Sequence, residues 1–141
     1  MFDLSSLKTD PEKSLKGTWV DYRGGSRLLV SRSNNEEIEQ FKLQKALEHA
    51  DVFQAGGKEA EELAEKVETE ALARFVLRDW SGMTIDGEEV EYTPELGMKI
   101  FADPHYADFR EDVKAISANR GNYRPQAEAA ATEAVKKTAA S

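Results

Sequence analysis

Residues 58–79 read KEAEELAEKVETEALARFVLRD, and the pattern of this stretch decides the fold class. In its first half Ala60, Leu63, Ala64, Val67 and Ala71 recur three and four apart, which gathers them on one face of a helix. Glu61, Glu62, Glu65, Glu68 and Glu70 fall mostly on the water side. The second half, Ala71 to Leu77, is apolar nearly all the way round and broken mainly by Arg74. A helix apolar on every side has to be surrounded, so this half is expected at the centre of the core. The spacing predicts one long helix over about residues 58–80. It should stop at Trp80-Ser81-Gly82, because glycine takes the left-handed conformation that closes helices. Phe75 is the side chain whose truncation should cost most, about 3–5 kcal/mol for a buried Phe→Ala.

Upstream, Ser33-Asn34-Asn35-Glu36 has the form of a capping box and starts a helix over about residues 35–50. Leu43, Ala46, Leu47 and Ala50 share one face of it, with Ile38 and Phe41 on a neighbouring one. Gly56-Gly57 should turn this helix back antiparallel to the long one. Before it, two β-prone runs flank Arg23-Gly24-Gly25-Ser26, a β-hairpin signal over residues 18–32. A two-residue Gly24-Gly25 turn would set Trp19 opposite Val30 and Val20 opposite Leu29. Two strands alone are marginal in water, so the ribbon should pack on helices. Residues 1–16 are polar with apolar anchors at Phe2, Leu4, Leu7 and Leu15; they form either a flexible lead-in or a segment that clips onto the body.

Downstream, Asp86-Gly87 marks a small loop or short hairpin. Thr93-Pro94-Glu95 starts a helix, with Thr as the cap and Pro at the first helical position. Asp103-Pro104 repeats that signal ten residues later, and the helix that follows stacks Tyr106, Phe109, Val113 and Ile116 up to about Asn119. The expected architecture is mainly α: one mostly helical domain over residues 1–123 with an N-terminal β-hairpin. Residues 124–141 have Val135 as their only large apolar side chain, too little to offset ordering of roughly 1–2 kcal/mol per residue. They are expected to form a mobile or partly helical, Ala-rich C-terminal tail.

The 141 residues carry a formal net charge of −8. Residues 36–70 alone hold 11 acidic and 4 basic side chains. That argues against a nucleic-acid binder, which needs a basic stripe to neutralise phosphates. With no cysteine, disulfide and thiolate chemistry are excluded. The N-terminus lacks a signal-peptide pattern, and no window approaches the ~18–20 apolar residues of a membrane span, so a soluble intracellular protein is expected.

Chemistry finds little footing. The two histidines, His49 and His105, have no second histidine at ligand spacing, and Asp103 beside His105 is better used as a helix cap than as a metal ligand. The serines sit in turns and caps, and the glycine pairs lack dinucleotide or P-loop spacing. No catalytic, cofactor or metal site is expected, and the protein reads as a non-enzyme. What stands out is the aromatic crowding at the Asp103-Pro104 junction. Phe101, Tyr106 and Phe109 either lie in or beside a protein-binding groove there or fill the core.

Several blocks together resemble the tail assembly chaperones of long-tailed, siphovirus-type bacteriophages. FDLSSLKTDPEK (2–13) leads into WVDYRGGSRLLVSR (19–32) and NNEEIEQF (34–41); after the long helix come VLRDWSGMTIDGEEVEYTPELGMKIFADP (76–104) and DFREDVKAISANRGNYR (108–124). The resemblance spans residues 2–123, and departs from the family at Ser81, where a glutamate often follows the tryptophan. It implies a small helical protein of the host cell cytoplasm, without catalytic residues. Such a protein binds the tape measure protein, keeps it soluble and helps recruit tail tube subunits. It also implies a longer, frameshifted form that would carry the tail tube contact, and it leaves self-association open. The alternative is an acidic regulator or inhibitor that binds a basic host or phage protein through its glutamate face.

Overall fold

Asp10 caps the first short helix of the computed structural model, α1 (Pro11–Lys16), by accepting from the backbone N–H groups of Glu12 and Lys13. The structure describes residues 1–125. Ahead of α1, one 3-10 turn over Leu4–Leu7 leaves Phe2, Leu4 and Leu7 exposed, so none of the three clips onto the body. The hairpin follows as β1 (Thr18–Asp21) and β2 (Arg27–Val30). Its turn runs from Tyr22 to Ser26, whose backbone groups close it at 2.8 Å, with Gly24 and Gly25 at φ 65° and 80°. This turn is longer than a two-residue one, and the register moves by one: Trp19 pairs with Leu29 and Val20 with Leu28. A one-residue slip decides which face meets the core. Here Leu28 and Val30 are fully buried opposite Val20 and Thr18, while Trp19 and Leu29 share the other face.

The chain then leaves the sheet as a helical arm of α2 (Glu36–Glu48), α3 (Ala50–Ala55) and α4 (Gly57–Ala71). Asn35, not Ser33, caps α2, accepting from the Ile38 N–H at 3.0 Å. Both α2 and α3 pack against α4. Here the expected long helix is corrected. It stops being α-helical at Ala71, passes through a π-turn over Leu72–Val76, and becomes a strand, β3 (Leu77–Ser81), antiparallel to β2. The sheet is therefore three-stranded, in the order β1-β2-β3.

A β-bulge explains why the sequence misleads. Leu28 pairs with Trp80, Leu29 with Asp79 and Val30 with Leu77, so Arg78 is the extra residue on β3. Leu77 and Trp80, three apart, would point to opposite faces of a regular strand. The bulge brings both into the core, and a spacing of three then imitates a helix. The helix end is buried, and its free carbonyls all find donors. Tyr92 donates its hydroxyl to Ala73, Arg78 Nη1 donates to Arg74 at 3.1 Å, Asn35 Nδ2 to Phe75 at 3.0 Å, and the Ser31 N–H to Val76 at 2.8 Å.

After β3, a two-residue ladder of β4 (Thr84–Ile85) and β5 (Glu88–Glu89) turns at Asp86-Gly87. Thr93 caps α5 (Pro94–Ala102), and Asp103 caps a 3-10 turn that runs on into α6 (Ala107–Ala118). The last described segment lies against α1 and β1. There Tyr123 is fully buried, its hydroxyl donates to the Val30 carbonyl at 3.2 Å, and its own carbonyl accepts from the Asp10 N–H at 2.7 Å. The expected tail falls outside the described residues, apart from Arg124 and Pro125. Their carbonyls accept from Lys13 Nζ, both at 3.2 Å.

One contiguous core takes Leu28 and Val30 from the sheet, Ile38 from α2, Leu72, Ala73 and Val76 from the π-turn, Leu77 and Trp80 from β3, Ile100 and Phe101 from α5, and Val113 from α6. The apolar run from Leu72 to Leu77 does sit at the centre, though not as α-helix. Phe75 does not share its burial. It is half-buried at the foot of the arm, 5.2 Å from the Phe41 ring and beneath the Arg78 guanidinium.

Candidate protein-docking surface

The arm is fastened to the body at its base and is open along its length. At the base Ile38 enters the core, Phe41 meets Phe75, and Lys42 Nζ pairs with Glu68 at 2.9 Å. Arg78 locks the same corner: it donates to Ser31 Oγ and to the Leu15 carbonyl, each at 2.8 Å, and to Glu37 Oε2 at 3.1 Å. Farther out, Val52, Phe53, Leu63 and Val67 are only half-buried, and α3 contributes no buried residue.

Helix α2 has two apolar faces, and only one is covered. Ile38 and Phe41 turn inward. The face of Leu43, Ala46 and Leu47 turns to water, with Leu43 61% and Leu47 71% exposed. Periodicity found this face but could not tell which of the two would meet the body, because both have helical spacing. The charges beside it are acidic: Glu36 and Glu39 are exposed there with the neutral Gln40 and Gln44. Lys42 and Lys45 belong to the covered side, the first on Glu68 and the second over the Phe41 ring at 5.7 Å.

The aromatic trio at the Asp103-Pro104 junction is divided. Phe101 is 3% exposed and stacks on half-buried Phe109 with ring centroids 5.8 Å apart and planes at 9°. Phe109 also meets Trp80 and Tyr22 edge-on, and the Tyr22 hydroxyl donates to Asp112. Tyr106 is apart from them, 36% exposed on the surface. A shallow recess beside the junction is walled by Phe101, Ala102, Pro104 and Ala107. Arg110 crosses it, donating to the Phe101 carbonyl at 2.9 Å and pairing with Glu65 at 2.8 Å. Asp103 is committed to its cap. Chiefly the His105 backbone N–H holds its carboxyl below the ordinary aspartate value.

A second cavity, of about 200 Å³, opens between α2, α4 and α6 against Ile38, Ala71, Leu72 and Val76. Among the described residues no three potential metal-ligating side chains come together, and no helix is long and apolar enough to cross a membrane. The surface offers apolar contact bordered by negative charge.

Taken together, these features define a mainly helical protein built on a small antiparallel sheet, with a helical arm whose outer face is uncovered. A family model described as YdaY prophage protein matches residues 34–137, which takes in the arm, the π-turn, α5 and α6. The chain belongs to that family and is phage-derived. No curated protein and no solved structure matches the chain.

Proposed function

We propose that this protein is a tail assembly chaperone of its phage. It binds the tape measure protein, keeps it soluble in the host cytoplasm, and helps recruit tail tube subunits around it. It does so without catalysis, nucleic acid or membrane. The observation that carries this reading is the outward face of α2, where Leu43 and Leu47 are exposed on a prophage protein. A long structural protein with apolar helical faces aggregates when bare, and a helix that leaves its own apolar face open can cover such a segment. The acidic arm keeps the coated complex dispersed. A frameshifted long form would extend past residue 141 and carry the tail tube contact.

The test is co-expression with the tape measure protein of the same prophage. The chaperone reading expects the tape measure protein to move into the soluble fraction and to co-purify. A tape measure protein that stays insoluble and unbound overturns it. Glu36 and Glu39, exposed and in no ion pair among the described residues, favour one other reading, an acidic regulator or inhibitor of a basic host or phage protein. Charge-led binding of that kind collapses in high salt, whereas apolar coverage persists.

A further inference from the structure

We infer that the outward face of α2 docks a basic amphipathic helix of its partner, rather than a second copy of this chain. The inference rests on the chaperone reading for the partner's identity, and it narrows the tape measure segment to a helix carrying Lys or Arg beside its apolar positions. Leu43 and Leu47 lie one helical turn apart with exposed Ala46 between them, a short seam of the kind that helix pairing covers. The charges along that seam have one sign. Glu36 and Glu39 are exposed, and neither enters an ion pair among the described residues. Both lysines of α2 face the other way, on Glu68 and Phe41.

A second copy would lay this seam against itself. Antiparallel pairing brings no basic side chain of the seam to Glu36 or Glu39 of either copy, and parallel pairing sets each acid beside its own counterpart. Like charges flanking a helical seam oppose association, and complementary ones set partner and orientation. A helix with basic flanks neutralises the seam while its apolar stripe covers the leucines.

The test uses two synthetic helical peptides with the same leucine stripe, one flanked by lysines and the other by glutamates. Each is titrated into the full-length protein by fluorescence anisotropy, with hydrogen exchange to locate it. The lysine peptide is expected to bind and protect α2 amides, and the glutamate peptide to leave the protein unchanged. Leu43→Ser with Leu47→Ser should weaken the lysine peptide about tenfold or more, the scale of losing central apolar anchors. Both leucines are exposed, so the melting temperature should hold. E36Q/E39Q tests the same face without touching the leucines and should also weaken it. Sedimentation should show a monomer.

No binding of the lysine peptide, binding that both variants leave unchanged, or a dimer that the leucine substitutions dissociate overturns the inference. Co-purification of the tape measure protein is scored separately. If the leucine variant still retains it, this docking face fails and the chaperone reading stands. If it never co-purifies while the lysine peptide binds α2, the chaperone reading alone fails.

Discussion

Asn35 and Phe75 hold the two ends of the arm together: Asn35 Nδ2 donates to the Phe75 carbonyl at 3.0 Å while its Oδ1 accepts from the Ile38 N–H at 3.0 Å. The same Nδ2 donates to the Arg32 carbonyl at 2.9 Å. As a helix cap alone, aspartate matches asparagine. Asn35→Asp keeps the cap but sets a carboxylate oxygen against two carbonyls in a buried site. It should cost about 2–3 kcal/mol, as much as Asn35→Ala, because buried acceptors lose their donor. Urea denaturation measures this, and wild-type stability for Asn35→Asp would refute the double role.

Gly97 lies buried inside α5, where a methyl group would overlap the Tyr92 hydroxyl that caps Ala73. Propensity favours Gly97→Ala by about 1 kcal/mol. Overpacking against Tyr92 should reverse that sign and leave a net loss of about 1–3 kcal/mol. Tyr92→Phe should destabilise by losing the carbonyl's donor. Burial raises the Tyr92 phenol above its ordinary value of 10.0. Its contribution is therefore intact below that value and is lost as pH rises past it. Alkaline denaturation of Tyr92→Phe should accordingly show a shallower limb, whereas an identical limb would count against this cap.

Leu77 is fully buried beside the bulge, and Phe75 is not. Leu77→Ala should therefore cost about 2–5 kcal/mol and exceed Phe75→Ala, against the expectation from spacing. Thermal melts of the two variants decide the order.

Phe109→Ala opens the stack on Phe101 and should cost about 3 kcal/mol. Tyr106→Ala, on the surface, should stay within about 0.5 kcal/mol. Equal losses in chemical denaturation would mean that Tyr106 is packed after all.

Local signals in the sequence located much of this fold. The hairpin, the Asp86-Gly87 turn, the start of α5 and the 3-10 turn that leads into α6 follow from side-chain caps and turn residues that act within a few positions. The end of α4 was not legible, because its cause lies far away. The π-turn exists where donors from Tyr92, Asn35 and Ser31 meet its carbonyls, and none of these is a neighbour in sequence. The bulge at Arg78 then gives a strand the spacing of a helix. Of the docking surface, the sequence showed that Leu43 and Leu47 share a face. Whether that face met the body depended on how Ile38 anchors the helix.

The order β1-β2-β3 makes the whole arm the connection between two neighbouring strands, since it leaves the sheet after Val30 and returns at Leu77. Pairing β2 with β3 thus requires closing a long stretch of chain, which carries an entropic cost and slows formation of the sheet. A preformed helical hairpin shortens that search, because α2 to α4 bring the stretch back on itself through local contacts. The arm then governs how fast the body acquires its third strand. A glycine placed on the exposed side of α4 should slow refolding in stopped-flow measurements more than it speeds unfolding.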